Sequence, residues 1–169
     1  MDEFRKHCFL MAIQITQLEL QDKFEYHSDG HLVRRKNGQF VKEHKSHSTG
    51  NHLIISISGK AVRLQRMIFL YHHGYLPICV DHIDGDVLNN KIENLRAATV
   101  QENCLNKRAK PGTSGCKNVR WYKPNKNWVV YVSVNKKQKF FGAFQDLEFA
   151  DLVATEARNL YHGAFARHH

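Results

Sequence analysis

Along the chain the spacing of apolar positions changes period several times, and each change marks an element. Ile15, Leu18, Leu20 and Phe24 recur at helical spacing, and Thr16 with Glu19 three residues later forms a capping box, so a short amphipathic helix is predicted over 16–23. Two short runs around Ser28-Asp29-Gly30 then read as strand, Asp-Gly turn and strand, a hairpin. Residues 35–49 are polar and rich in lysine and histidine, which predicts a loop. Residues 53–62 read as strand, turn and strand, and 63–72 as a helix with Leu64, Met67, Ile68 and Tyr71 on one face, stopped by Gly74. A strand over 78–80 delivers Asp81 and His82 at its end. Gly85 permits a turn, 89–94 form an irregular loop, and 95–98 return as a second strand. Thr99-x-x-Glu102 is another capping box, opening a helix through about Arg108 that carries Asn103 in its first turns.

Residues 109–115, with Pro111, Gly112 and Gly115, are rich in helix and strand breakers and predict a domain boundary. Strand-like runs follow over 119–122, 128–134 and 139–144, and then a helix over 146–161 whose apolar stripe is expected to be Phe149, Leu152, Val153, Ala157 and Leu160. Trp128 is expected to pack between that sheet and helix. The expected class is α+β, with a first domain over 1–108, a linker over 109–115 and a small three-stranded sheet with one helix over 116–169.

Composition adds bounds to this outline. The 169 residues are 42% hydrophobic with 18 aromatics, enough to bury a core, which excludes a disordered tail. No apolar run reaches the length of a membrane span, and the patch over 8–13 is too short for a secretory signal, so a cytoplasmic, non-exported protein without a membrane partner is expected. Cys8, Cys79, Cys104 and Cys116 form no Cys-x-x-Cys pair, and reduced thiols are expected.

Charge changes the picture more. The net charge is +9, and residues 107–140 hold ten basic residues and no acidic one, leaving fifteen basic against sixteen acidic elsewhere. Interleaved with Trp121, Tyr122, Trp128 and Tyr131, this run reads as a surface for nucleic-acid phosphates. His44, His47 and His52 invite a metal reading, but no cysteine or carboxylate is spaced to complete a site, and solvated loop histidines are expected.

The stretch over 81–103 crowds an acid–histidine pair, several asparagines and a glycine turn together, more polar chemistry than a core tolerates unpaired. Phosphodiester hydrolysis needs a base for water and neutralisation of developing charge. An imidazole such as His82 suits the first task, and Asp81, a hard anionic oxygen donor, suits magnesium or manganese. Adjacent strand residues point to opposite sides, so serving one phosphate together requires a local twist. Asp84 and Gly85 are expected to shape the turn, Asn89 and Asn90 to cap loop backbone.

Asp81-His82, then Asn94, then Asn103, in strand–loop–strand–helix order, resembles the HNH endonucleases, and most closely the phage and intron-associated homing branch, in which asparagine replaces the last histidine. The resemblance covers roughly 24–108. It implies a ββα-metal fold holding one divalent ion, Mg2+ or Mn2+, on Asp81 and Asn103. His82 is then the general base and Asn94 the residue that holds the loop, with 3′-hydroxyl and 5′-phosphate products.

Residues 115–165 resemble an AP2-type DNA-binding domain, through Asn118-Val119-Arg120-Trp121, the 128–132 run and Phe141-Gly142-Ala143-Phe144. This implies a sheet face against double-stranded DNA, with Lys117, Arg120, Tyr122, Lys123, Ser133, Lys136, Lys137 and Gln138 as candidate contacts. The expected protein is a site-preferring DNA endonuclease, a monomer or transient dimer, whose nearly neutral nuclease half borrows its grip on DNA from the basic segment. A non-catalytic DNA-binding regulator and an RNA-directed protein are the rivals.

Overall fold

The structure, a computed structural model, describes residues 15–47, 50–106 and 114–168. The apolar patch over 8–13, Thr49, the helix end near Arg108, the 109–113 part of the linker, and Lys107, Arg108 and Lys110 of the basic run lie outside the described residues. The chain divides into two compact units, 1–99 and 100–169.

In the first unit, α1 (Gln17–Lys23) starts at the expected capping box: the Thr16 hydroxyl accepts from the Glu19 amide at 3.2 Å, and the Thr16 amide donates to Glu19 Oε2 at 2.8 Å. Leu20 is buried, whereas Leu18, expected inside, is 76% exposed. Strands β1 (Phe24–His27) and β2 (His31–Arg34) form the expected antiparallel hairpin.

The polar segment over 35–49 is not wholly a loop. His44–Ser46 forms a strand, β3, which pairs with β4 (His52–Ile57), and β4 pairs with β5 (Lys60–Arg63) to complete an antiparallel sheet in the order β3-β4-β5. A three-residue polar strand has no hydrophobic period to announce it, and its ladder to β4 is what holds it extended. Helix α2 (Leu64–His73) ends at Gly74, whose φ of +76° caps it in the left-handed conformation. Leu64, Met67 and Ile68 of α2 join Leu20, Leu32, Ile55, Ile57 and Val62 in one core. Val80 and Leu95 extend this core into the hairpin of β6 (Cys79–His82) and β7 (Leu95–Ala98).

The second unit begins with a short helix, α3 (Val100–Leu105). Strands β8 (Val119–Tyr122), β9 (Asn127–Val134) and β10 (Lys137–Phe144) form an antiparallel sheet with β9 central, backed by α4 (Leu147–His162), as expected. The packed face of α4 keeps Val153 and Ala157 of the expected stripe but not the rest: Phe149, Leu152 and Leu160 are exposed, and Ala150 and Ala154 are buried with Ala157 against Val119, Val130 and Val132. Alanines let the helix axis approach the valine-rich strand closely, a fit that larger side chains would prevent. Asp146 caps α4, accepting from the Phe149 amide at 2.7 Å. No helix among the described residues is long and apolar enough to cross a membrane.

Candidate active site and nucleic-acid interface

The β6–β7 hairpin sets Asp81 opposite Arg96 and His82 opposite Leu95. Both Asp81 and His82 are buried. Arg96 donates through Nε at 2.8 Å to Asp81 Oδ2, and its Nη2 lies 2.8 Å from the same oxygen. The two neighbours therefore engage different partners, Asp81 the arginine across the ladder and His82 the loop ahead of it.

That loop, 83–94, is organised by carboxamides. Asn94 Oδ1 accepts from the Asp84 amide at 3.0 Å, while its Nδ2 donates to Asp84 Oδ1 at 2.9 Å and to the Asn89 carbonyl at 2.8 Å. Asp84 also accepts from the Asp86 amide and from Asn89 Nδ2. Burial pushes the Asp84 carboxyl up, but the hydrogen bonds from Asn89, the Asp86 amide and Asn94, with His82 nearby, outweigh it and hold the group below its ordinary value. Gly85, at φ +70°, turns the chain and donates its amide to the His82 carbonyl at 2.9 Å.

His82 Nε2 lies 3.0 Å from Asn90 Oδ1, and Asn90 Nδ2 donates to the Leu88 carbonyl at 3.3 Å. The second bond orients the amide so that its oxygen faces the imidazole. An amide oxygen only accepts, so Nε2 carries a hydrogen in this contact. Asn90, 1% exposed, is thus a site residue that sequence reading treated as a loop cap. Nothing in the Asn89-Asn90 doublet separates the two; only the fold does.

His52 on β4 was likewise missed. Its ring stacks on His82 with centroids 5.7 Å apart and planes 29° apart, and Gln65 Nε2 lies 3.0 Å from its Nδ1. Burial, then the Arg63 charge, then His82 hold the His52 imidazole down at about 4 against an ordinary 6.5. His44 sits on β3, and His47 Nδ1 lies 3.1 Å from Asn51 Oδ1.

The β1–β2 hairpin braces the loop at two points. The Tyr26 hydroxyl accepts from the Ile92 amide at 3.1 Å, and buried Gly30 (φ +87°) lies against the backbone of Asn90 and Lys91.

In the second unit, Asn103 is half-buried on α3. On the sheet, register separates two faces. Trp128, Val130, Val132 and Val134 face α4, with Trp121 against Trp128 at 4.8 Å, so Trp128 packs inward as expected. Arg120 and Tyr122 on β8, Tyr131 and Ser133 on β9, and Gln138 and Phe140 on β10 share the other face. There the Arg120 guanidinium lies 4.5 Å over the Tyr131 ring, which lies 5.2 Å from that of Phe140. Lys123 and Lys136 are exposed in the turns, and Lys137 falls opposite Val134 on the helix side. Lys117 points inward: its ammonium donates to the Leu105 carbonyl at 3.1 Å, and burial, Arg158 and Arg167 bring its pKa down to about 8. Arg158, fully buried, donates to the Lys117 carbonyl at 2.6 Å and ties α4 to the segment before β8.

Residues 62–105, from the end of β5 through α3, match the HNH endonuclease family. The chain is 37% identical over 111 residues to Protein 3.8 of Escherichia phage T7, a match that spans 64% of this chain and 91% of that protein. No solved structure matches it. The match contains the Asp81-His82 pair and the whole carboxamide loop, and with it the chain belongs to the family of the phage T7 Protein 3.8 and carries an HNH endonuclease domain over residues 62–105.

Proposed function

We propose that the protein is a metal-dependent DNA endonuclease of the homing type, cutting a phosphodiester to leave a 3′-hydroxyl and a 5′-phosphate. The observation that carries this reading is the His82–Asn90 hydrogen bond, which fixes a buried imidazole beside Asp81 in an orientation suited to taking a proton from water. Asn94 fixes the turn that follows His82, and through Asp84 it keeps the loop in one shape. His82 takes the proton, and Asn90 Oδ1, facing Nε2, supports the imidazolium that forms.

Asp81 and Asn103 are the ligands of a Mg2+ or Mn2+ ion in this reading. Both offer hard oxygen donors, which fit those cations. Arg96 already sits on Asp81 Oδ2, so a cation at Asp81 must coexist with that arginine or displace it. When bound, the ion supplies charge neutralisation at the phosphate and the leaving oxygen.

Residues 1–108 serve as the nuclease domain and 116–169 as an AP2-like domain that positions it on double-stranded DNA. The shared face of Arg120, Tyr122, Ser133 and Gln138 supports this, with Lys123, Lys136 and Lys137 adding charge at the turns and edge. Lys117 contributes less, because its ammonium is held inward. The Asp81–Arg96 ion pair favours a second reading, a DNA-binding regulator that does not cut.

End-group analysis separates the two. Nicked duplex made by the protein in magnesium should be resealed by a DNA ligase without prior phosphorylation, and chelation should abolish nicking. Binding with no new ends in any divalent metal would support the regulator.

A further inference from the structure

The face of the β3-β4-β5 sheet opposite the core buries Ile54 at its centre and surrounds it with two histidines and an arginine, which packing does not require. Register places His44, His52, Ile54 and Arg63 on that face, because Ile54 pairs with both His44 and Arg63 and His52 is two residues away on the same strand. The opposite face carries Ile55, Ile57 and Val62 into the core. His52 connects the outer face directly to the HNH site, through its stack on His82.

Arg63 is the distinctive residue. Its Nε is buried and has no hydrogen-bond partner, and among the described residues it pairs with no carboxylate. It stands immediately before α2. The next arginine, Arg66, is turned away to the Pro77 and Ile78 carbonyls and does not relieve it. Half-buried and without a carboxylate partner among the described residues, Arg63 can offer only the solvent-facing part of its planar fork of donors, and that fork matches a phosphate.

We propose that this face is a backbone-binding strip of the nuclease domain, in which Arg63, with His52 on the neighbouring strand and His44 on the far one, grips the DNA phosphate next to the bond cut by the water that His82 deprotonates. The proposal rests on the nuclease reading for its substrate. It also gives the nuclease domain a grip of its own, beyond that of the basic second domain.

The test uses the full chain with the His82→Ala change, which keeps the DNA intact, and a fluorescent duplex titrated at several salt concentrations. Each phosphate neutralised contributes about 0.9 to the slope of log affinity against log salt. Arg63→Gln should lower that slope by about one phosphate, so that over a fourfold rise in salt the parent loses about threefold more affinity than the variant. Arg63→Lys, which keeps the charge, should retain the slope. An unchanged slope in Arg63→Gln, or an equal loss in Arg63→Lys, would overturn the proposal. Circular dichroism verifies that each variant folds, and if Arg63→Gln does not, Arg63→Met, which keeps the length of the side chain without its charge, takes its place with the same loss of slope expected. Because binding is read without cleavage, a wild type that fails to nick DNA counts against the nuclease reading alone.

Discussion

Gly30 and Asn90, sixty residues apart, meet at backbone distance: a Cβ on Gly30 would lie 2.6 Å from the Asn90 carbonyl carbon. Since Asn90 Oδ1 holds His82 Nε2, the turn of the first hairpin presses on the residue that sets the tautomer of the candidate base. Gly30→Ala should therefore shift the 90–92 segment, besides straining a φ of +87°. Small displacements of reacting groups cost up to about 100-fold in rate. Nicking by Gly30→Ala should fall toward that extent while duplex affinity holds. Nicking at the parental rate would mean that the loop does not need this contact.

Asn90 itself separates positioning from packing. Asn90→Ala should lower the cleavage rate at saturating DNA within the roughly 10²–10⁴-fold that a positioned base supplies. Asn90→Asp should restore part of it and move the acid limb of the rate–pH profile to higher pH, because a carboxylate beside an imidazole favours its protonated form. An unmoved profile in Asn90→Asp would show that Asn90 only fills space.

His52 makes stability depend on pH. Its imidazole takes a proton near pH 4 in the folded chain and near 6.5 when unfolded. Between those values the unfolded chain binds the extra proton, so stability is complete above about pH 6.5 and declines as the pH falls toward 4. His72, held low by burial and then by His73, acts in the same direction. Melting temperatures at pH 7 and pH 5 should drop less for His52→Gln than for the wild type, and equal drops would remove His52 from the account.

These residues show which parts of the fold could be read along the chain. The Thr16–Glu19 box, the Asp29-Gly30 turn and the Asp81-His82 strand end are local, decided by residues within a few positions of one another. The loop-holding role of Asn94 came from the family resemblance and not from its neighbours, although its partners Asp84 and Asn89 lie on the same short loop. The His44–Ser46 strand was not legible, because it is held by pairing with β4, a partner no local pattern announces. On α4 the large apolar residues Phe149, Leu152 and Leu160 masked the alanine face that packs, since hydrophobicity ranks them above alanine while close approach selects the opposite. The contacts of His82 with Asn90 and His52, and of Asp81 with Arg96, join residues whose pairing no hydrophobic period announces.

The second domain's outer face yields a separate expectation. Arg120→Ala removes the cation stacked on Tyr131 and should weaken duplex binding, while the cleavage rate at saturating DNA stays close to the wild type. An equal loss of rate at saturation would mean that this face takes part in the chemistry.

The central claim is that His82 is the base of a DNA-cutting site, and conversion of supercoiled plasmid in magnesium tests it most directly. The wild type should produce nicked or linear DNA, and His82→Ala should reduce that conversion by about 10²-fold or more. No conversion by the wild type, or undiminished conversion by His82→Ala, would contradict it.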